Sequence, residues 1–265
     1  MTQPSDPIRA ATLAVGENGQ ARPIATLYRP AERAETGPML VWLGGYRSDM
    51  TGTKALEMDR LAGERGLAAL RFDYSGHGQS GGAFRDGTIS RWLEETLAVI
   101  DAHPATEIIL VGSSMGGWIA LRAVQELGRR PGAPTVRGMV LIAPAPDFTS
   151  ELIEPALSDA ERRSLEERGF FEEPSQYSPE PNIFTRALIE DGRRNRVLQG
   201  LIETRCPVHI LQGMRDEDVP YQHALKLMEF LPADDVVLTL VRDGDHRLSR
   251  PQDIERMQAA ITALL

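Results

Sequence analysis

Five residues constrain this chain more than any others: Gly112-Ser113-Ser114-Met115-Gly116, set directly after the apolar run at 107–111 and directly before an apolar helical stretch at 115–127. A strand, a very tight turn and then a helix leave the serine projecting above the end of the strand, in the arrangement of a nucleophile elbow. Gly112 and Gly116 stand two positions either side of Ser114, where the strand and helix backbones have to pass close together. The free N–H groups at the helix start, that of Met115 among them, suit developing negative charge at the same point. A glycine-rich turn with an incidental serine is the plainer reading. The apolar strand and helix on its flanks favour the nucleophile.

Around that point, short apolar runs alternate with longer amphipathic stretches. Strands are predicted at 11–15, 24–28, 39–43, 67–74, 107–112, 136–143, 208–212 and 236–241, and helices at 53–65, 90–103, 115–127, 221–230 and 253–265. Uninterrupted Val/Ile/Leu strands separated by helices indicate a mainly parallel, doubly wound α/β sheet of about eight strands, covered on both faces. One stretch breaks the alternation. Between Pro144 and Arg205 no strand is legible, and charges and prolines are frequent. The expectation is a helical cap at 146–204, inserted after the sixth strand of a single domain spanning 1–265, on the edge where open α/β sheets bind ligands. Within it Val197, Leu198, Leu201 and Ile202 fall at helical spacing and should bury one face.

The 265 residues are ample for a buried core. The formal charge, 29 − 38 = −9, argues against a nucleic-acid partner, which needs a basic patch. A lone Cys206 excludes an intramolecular disulfide framework and a cysteine-rich zinc site. Residues 1–7 lack a basic n-region and an apolar h-region, and the charge-free stretch 108–121 is too short and glycine-rich to span a bilayer. A cytoplasmic protein with no integral membrane segment is therefore expected.

A serine hydroxyl needs a base to take its proton and an acid to orient that base. Both should follow it in the chain, in the order Ser, acid, His, each just past a strand. The run 208–212 leads into Gly213-Met214-Arg215-Asp216, and 237–241 leads through Arg242-Asp243-Gly244-Asp245 to His246. Asp216 is the candidate carboxylate and His246 the candidate base. Asp218 is the rival acid, although its place before a helix suits a cap. Glu217 should face solvent. His209 lies within a strand as a core or sheet-edge residue, His223 on a surface helix, and His103 near a helix end where a cation suits the dipole. His77 follows a strand and should rise near the mouth of the site, in a structural or substrate-proximal role. The oxyanion needs two donors: the Met115 N–H, and a second from Leu43-Gly44-Gly45-Tyr46, assigned to Tyr46 with Gly45 as the alternative.

Two competing motifs fail on context. Gly76-His77-Gly78-Gln79-Ser80-Gly81 matches G-x-G-x-x-G and follows a strand, but 82–87 continue as loop where a dinucleotide site would open a helix. Asp243-x-Asp245-His246 has no further ligand set nearby and reads as a loop that sets the histidine rotamer. No cofactor and no metal are expected.

Taken together, Arg71-Phe72-Asp73-Tyr74-Ser75-Gly76, Val111-Gly112-Ser113-Ser114-Met115-Gly116-Gly117-Trp118, Gly213-Met214-Arg215-Asp216-Glu217-Asp218-Val219-Pro220 and Asp245-His246-Arg247 resemble the α/β-hydrolase superfamily over nearly the whole chain. Within it they are most similar to the acyl-protein thioesterase (depalmitoylase) and acyl-glucuronide esterase branch, as a bacterial-type member. The cap segment from Phe170-Phe171 to Tyr177-Ser178 looks like that branch as well. The resemblance implies an α/β-hydrolase fold, the triad Ser114, Asp216 and His246, and hydrolysis of a carboxylic ester or acyl thioester through an acyl-enzyme. Phe148, Phe170, Phe171, Tyr177 and Phe184 are candidates for the wall of an acyl pocket, with Trp118 just past the elbow and Gly45 and His77 beside it. The alternatives are a catalytically silent binding protein on the same fold and, among enzymes, a peptidase, lipase-like, acyltransferase or carbon–carbon-bond hydrolase variant. Dehalogenation is disfavoured, since it would need Asp at position 114.

Overall fold

The computed structural model describes residues 8–17, 19, 21–32, 37–175, 180–232 and 235–265. All eight predicted runs are strands of one sheet: β1 (Arg9–Val15), β2 (Arg22–Arg29), β3 (Met39–Leu43), β4 (Ala69–Phe72), β5 (Glu107–Ser113), β6 (Thr135–Ile142) and, beyond the cap, β9 (Val208–Gly213) and β10 (Val236–Val241). Their order across the sheet is β1-β2-β4-β3-β5-β6-β9-β10. β1 and β2 join antiparallel, as do β2 and β4, and every later pairing is parallel. β5, which carries the elbow, therefore lies in the middle.

The period-2 alternation of the central strands divides their side chains between two cores. Ile108 and Leu110 of β5 join Trp92 of α2 (Ile89–Asp101), Trp118 of α3 (Met115–Leu127) and Leu227 of α7 (Tyr221–Phe230) on one face. Ile109 and Val111 join Met58 of α1 (Thr53–Glu64) and Met257 and Ile261 of α8 (Pro251–Thr262) on the other. Burial on both faces is what makes a strand read as a continuous apolar run. The predicted start of α2 is visible as a cap: the Thr88 hydroxyl accepts the Arg91 N–H.

The segment between β6 and β9 holds α4 (Glu154–Ala156), α5 (Asp159–Glu167), β7 (Phe170–Glu173), β8 (Asn182–Thr185) and α6 (Arg186–Arg194). It is helical over 149–156, 159–167 and 186–194, joined by loops, with one addition. β7 and β8 form a small antiparallel ribbon in which Phe171 faces Phe184. Each strand has four residues, and Glu172 and Glu173 hid the alternation. The second departure is at 197–202, which is irregular rather than helical. Gly200 interrupts the run, and the Asp147 carboxylate accepts the Val197 and Leu198 N–H groups at 2.9 and 2.8 Å. Val197, Leu198 and Ile202 are buried, but Leu201 is 65% exposed. No helix among the described residues is long and apolar enough to cross a membrane.

Candidate active site

Ser114 begins α3 with φ +54° and ψ −119°, a backbone conformation that L-residues rarely hold and that costs of order 1–3 kcal/mol. The glycines make the turn possible by close approach. A Cβ on Gly112 would lie 2.5 Å from the Gly116 carbonyl oxygen, and one on Gly116 only 2.1 Å from that of Leu43. The Ser114 N–H donates to Ile142 at 2.9 Å, and its carbonyl accepts from Gly117 and Ala145. These bonds hold the strained residue between β6 and α3.

The three side chains predicted from sequence meet at this rim. Ser114 Oγ lies 3.0 Å from His246 Nε2, and His246 Nδ1 lies 2.8 Å from Asp216 Oδ2. An ionised carboxylate only accepts, so Nδ1 carries the proton and Nε2 is left to accept the Ser114 hydroxyl. The Asp216 side chain is fully buried. Its Oδ1 accepts the Asp218 and Val219 N–H groups at 3.0 and 2.8 Å, and its Oδ2 also accepts from Gln212 Nε2 at 3.0 Å. The rival Asp218 is exposed, offers its amide to Asp216 and does not cap α7, whose N-cap is Pro220. Glu217 is exposed as expected.

Asp216, Asp218 and His246 bring three potential metal-ligand atoms within 4.8 Å of one another. Yet both Asp216 oxygens already accept N–H groups and both His246 nitrogens face protein partners, so the donor set is committed to hydrogen bonds. Asp243 pairs with Arg250 at 2.7 Å, and Asp245 accepts the Leu248 N–H. The glycine-rich stretch 76–81 opens no helix, since α2 starts only at Ile89.

Two cavities flank the Ser114–His246 pair. One, of about 410 Å³, lies under the cap and is lined by Met115, Phe148, Leu152, Ile153, Ala156 and Phe184, among others. The other, of about 340 Å³, lies toward α1 and is lined by Arg47, Ser48, Asp49, Thr53, Lys54 and Arg247, among others. Tyr46 lines both cavities, and Gly45 runs beside Ser114 in the second. The Tyr46 hydroxyl donates to the Ile183 carbonyl of β8, and its ring stacks on Phe184 at 5.3 Å. Burial holds that phenol far above its ordinary pKa. Burial, reinforced by Arg247, pulls the Lys54 ammonium down to about 8.

The remaining candidates are more distant from these cavities. Trp118 is fully buried and donates Nε1–H to the Asn195 carbonyl at 3.0 Å, tying the elbow helix to the end of the cap. Phe171 packs behind Phe184 at 5.3 Å, Phe170 lies beneath the guanidinium groups of Arg85 and Arg168, and Tyr177 falls outside the described residues. His77 is buried among Tyr74, Phe84 and Trp92. His223, expected on a surface, is 6% exposed, with Nε2 donating to the Pro146 carbonyl at 2.8 Å, because α7 turns that face to the base of the cap. His209 is partly exposed on an interior strand. His103 donates Nδ1–H to the Val99 carbonyl at the end of α2.

Sequence reasoning missed Gln212, Lys54 and the aliphatic cavity wall. Leu152, Ile153 and Ala156 fall at helical spacing from Phe148, which with Phe184 was a sequence candidate for this wall, a signal that the prolines and glutamates around them masked. Gln212 was a lone amide in an apolar strand.

Comparison with known proteins identifies the family. Residues 36–257 match the model of the Alpha/beta hydrolase family. The chain is 33% identical over 229 residues to the mitochondrial palmitoyl-protein thioesterase ABHD10 of Mus musculus, covering 86% of this chain and 75% of that protein. Among solved structures, a protein of Agrobacterium vitis S4 named as a hydrolase superposes with a TM-score of 0.96 at 71% identity, covering 97% of this chain and 99% of that one. Mouse alpha/beta hydrolase domain-containing protein 10 superposes with a TM-score of 0.83 at 29% identity, covering 97% and 98%.

Proposed function

Since the chain belongs to the alpha/beta hydrolase family, we propose that it is a serine hydrolase that cleaves a carboxylic ester or acyl thioester through an acyl-enzyme on Ser114. The observation that carries this reading is the unbroken hydrogen-bonded series Ser114–His246–Asp216, at 3.0 and 2.8 Å, placed where two cavities meet.

His246 takes the Ser114 proton as Oγ attacks the acyl carbon. The backbone N–H groups of Tyr46 and Met115 hold the oxyanion. Met115 stands in the first turn of α3, whose amides have no acceptor inside the helix. His246 then returns the proton to the departing alcohol or thiol, and water activated by the same imidazole releases the acid. Asp216 keeps the proton on Nδ1 and stabilises the imidazolium.

The cavity under the cap suits an acyl chain, because Phe148, Leu152, Ile153 and Phe184 present only hydrocarbon. The palmitoyl-protein thioesterase name of the mouse relative is consistent with a medium or long chain there. The leaving group then lies on the α1 side, where Lys54 and Arg247, with Arg47 paired to Glu180, outnumber Asp49 and favour a leaving group that carries negative charge. An acyl glucuronide is one such substrate. Ser114→Ala is expected to abolish the acyl-enzyme burst and lower kcat on nitrophenyl esters by at least about 10⁴-fold. Full activity in that variant would end the proposal.

A further inference from the structure

His77 lines neither active-site cavity, yet it is hydrogen-bonded to the loop proposed to carry one of the two oxyanion donors. Residues Gly45 to Ser48 form a turn closed by the Ser48 N–H donating to the Gly45 carbonyl at 3.1 Å. The third residue, Arg47, sits at φ +55°. That is the left-handed region, where a residue with a Cβ is strained, so something has to hold the turn in this form.

The structure supplies a clamp. The Arg47 N–H, which belongs to the peptide joining Tyr46 to Arg47, donates to His77 Nε2 at 3.2 Å. His77 Nδ1 lies 3.2 Å from the Ser75 carbonyl oxygen. A backbone amide only donates and a carbonyl only accepts, so both contacts are satisfied by one form of the ring alone: neutral, with its proton on Nδ1. The imidazole is 4% exposed and held edge-on to Tyr74 and Trp92, at 5.7 and 5.3 Å between ring centroids. Phe84 touches the rings of both His77 and Tyr46 and lies under the Arg47 guanidinium. A second tie joins the same two loops: the Asp73 carboxylate accepts the Met50 and Gln79 N–H groups, each at 2.7 Å. The loop after β4 is thus fastened to the loop after β3 at two points, and one of them is the residue next to Tyr46.

We infer that His77 is a positioning residue for the oxyanion hole, its Nε2 fixing the Tyr46–Arg47 peptide so that the turn presents the Tyr46 amide beside Ser114. The inference rests on the donor assignment made above. Burial pulls the ring down to about 4, against the pull of the Ser75 carbonyl, and this keeps Nε2 an acceptor at neutral pH. Arg47 is the charged group that faces it, and it acts in the same direction.

Steady-state kinetics on a nitrophenyl butanoate at neutral pH test the idea. His77→Phe keeps a ring among Tyr74, Phe84 and Trp92 but removes the acceptor. It is expected to lower kcat about tenfold or more with KM within about twofold, a smaller loss than the 10²–10³ of deleting a donor outright. His77→Gln, whose amide oxygen can accept the Arg47 N–H, should recover most of kcat although it fills the ring cavity less well. A boronic acid that mimics the tetrahedral intermediate should lose affinity in proportion to kcat/KM. If packing alone matters, Phe will match the wild type or exceed Gln, and the inference fails. It fails equally if imidazole ¹⁵N spectra place the His77 proton on Nε2. Melting temperatures check folding. Should His77→Phe not fold, His77→Asn, too short to reach both partners, carries the same expected split. Ser114→Ala measured alongside separates the two readings. Activity retained there removes the serine mechanism itself, whereas loss there with wild-type kcat in the His77 variants removes only the clamp.

Discussion

The two cavities that meet at Ser114 are built from different parts of the chain and by different physics. The wall under the cap is supplied by the segment between β6 and β9, through Phe148, Leu152, Ile153, Ala156 and Phe184. The wall on the α1 side is supplied by the loop after β3, the first turn of α1 and the residues just past His246. The first can select by how much apolar surface a substrate buries, a graded quantity at about 0.8 kcal/mol per methylene. The second, on the proposed reading, would select by charge, which is present or absent. The reacting atoms and the orienting carboxylate come from loops at the ends of β5, β9 and β10, which neither wall displaces. Acyl preference and leaving-group preference should therefore be separable by substitution, each without damage to the other.

The largest expected effect is on the apolar side. Ala156→Trp adds an indole to the wall of the cavity under the cap, in the space proposed for the acyl chain. At about 0.8 kcal/mol per methylene, excluding three or four of them lowers kcat/KM for a dodecanoyl ester by roughly 10²-fold. An acetyl ester of the same alcohol should be hydrolysed within about twofold of the wild-type rate. A parallel fall for both esters would mean that the cap wall positions the catalytic groups, and the comparison would break there. A flat chain-length profile in the wild type would remove the acyl assignment altogether. On the polar side, Lys54→Met keeps the aliphatic stem and deletes the charge. For a leaving group bearing a carboxylate, kcat/KM should fall about fivefold, the upper end for a partly solvated ion pair. A neutral leaving group and the chain-length profile should be unaffected.

Strands, elbow and triad were legible because each leaves a local imprint. β3 and β5 are buried on both faces and read as unbroken apolar runs, and Gly112 and Gly116 are demanded by backbone contacts of 2.5 and 2.1 Å that any Cβ would meet. Asp216 and His246 were found because each follows a strand of the same sheet. The features that escaped are set by partners distant in the chain. β7 and β8 pair only with one another, and their eight residues include two glutamates. Residues 197–202 have helical spacing, but the Asp147 carboxylate, fifty positions earlier, takes the Val197 amide. His77 was expected near the mouth of the site, but neither it nor its loop lines the two cavities. What the sequence could not disclose is that the ring turns inward toward Arg47, which depends on Phe84 and Trp92 closing over it.

The smallest effect is also the sharpest discriminator between the two walls, because it needs no mutation. Lys54 is pulled by burial, and then by Arg247, from 10.5 down to about 8. A lowered lysine pKa means that the ammonium is present below that value and lost above it. Any advantage it gives an anionic leaving group must therefore be complete near pH 7 and decline as pH rises through about 8. The ratio of kcat/KM for an anionic over a neutral leaving group, on the same acyl chain, should fall about threefold between pH 7 and 9. Taking the ratio cancels any pH dependence of the reaction steps that both substrates share. Arg47 and Arg247 also line this wall, so the preference should decline without vanishing. In Lys54→Met the ratio should be flat over the same range. A ratio that rises with pH, or one that falls equally in the variant, would show that the charge selecting the leaving group is not on Lys54.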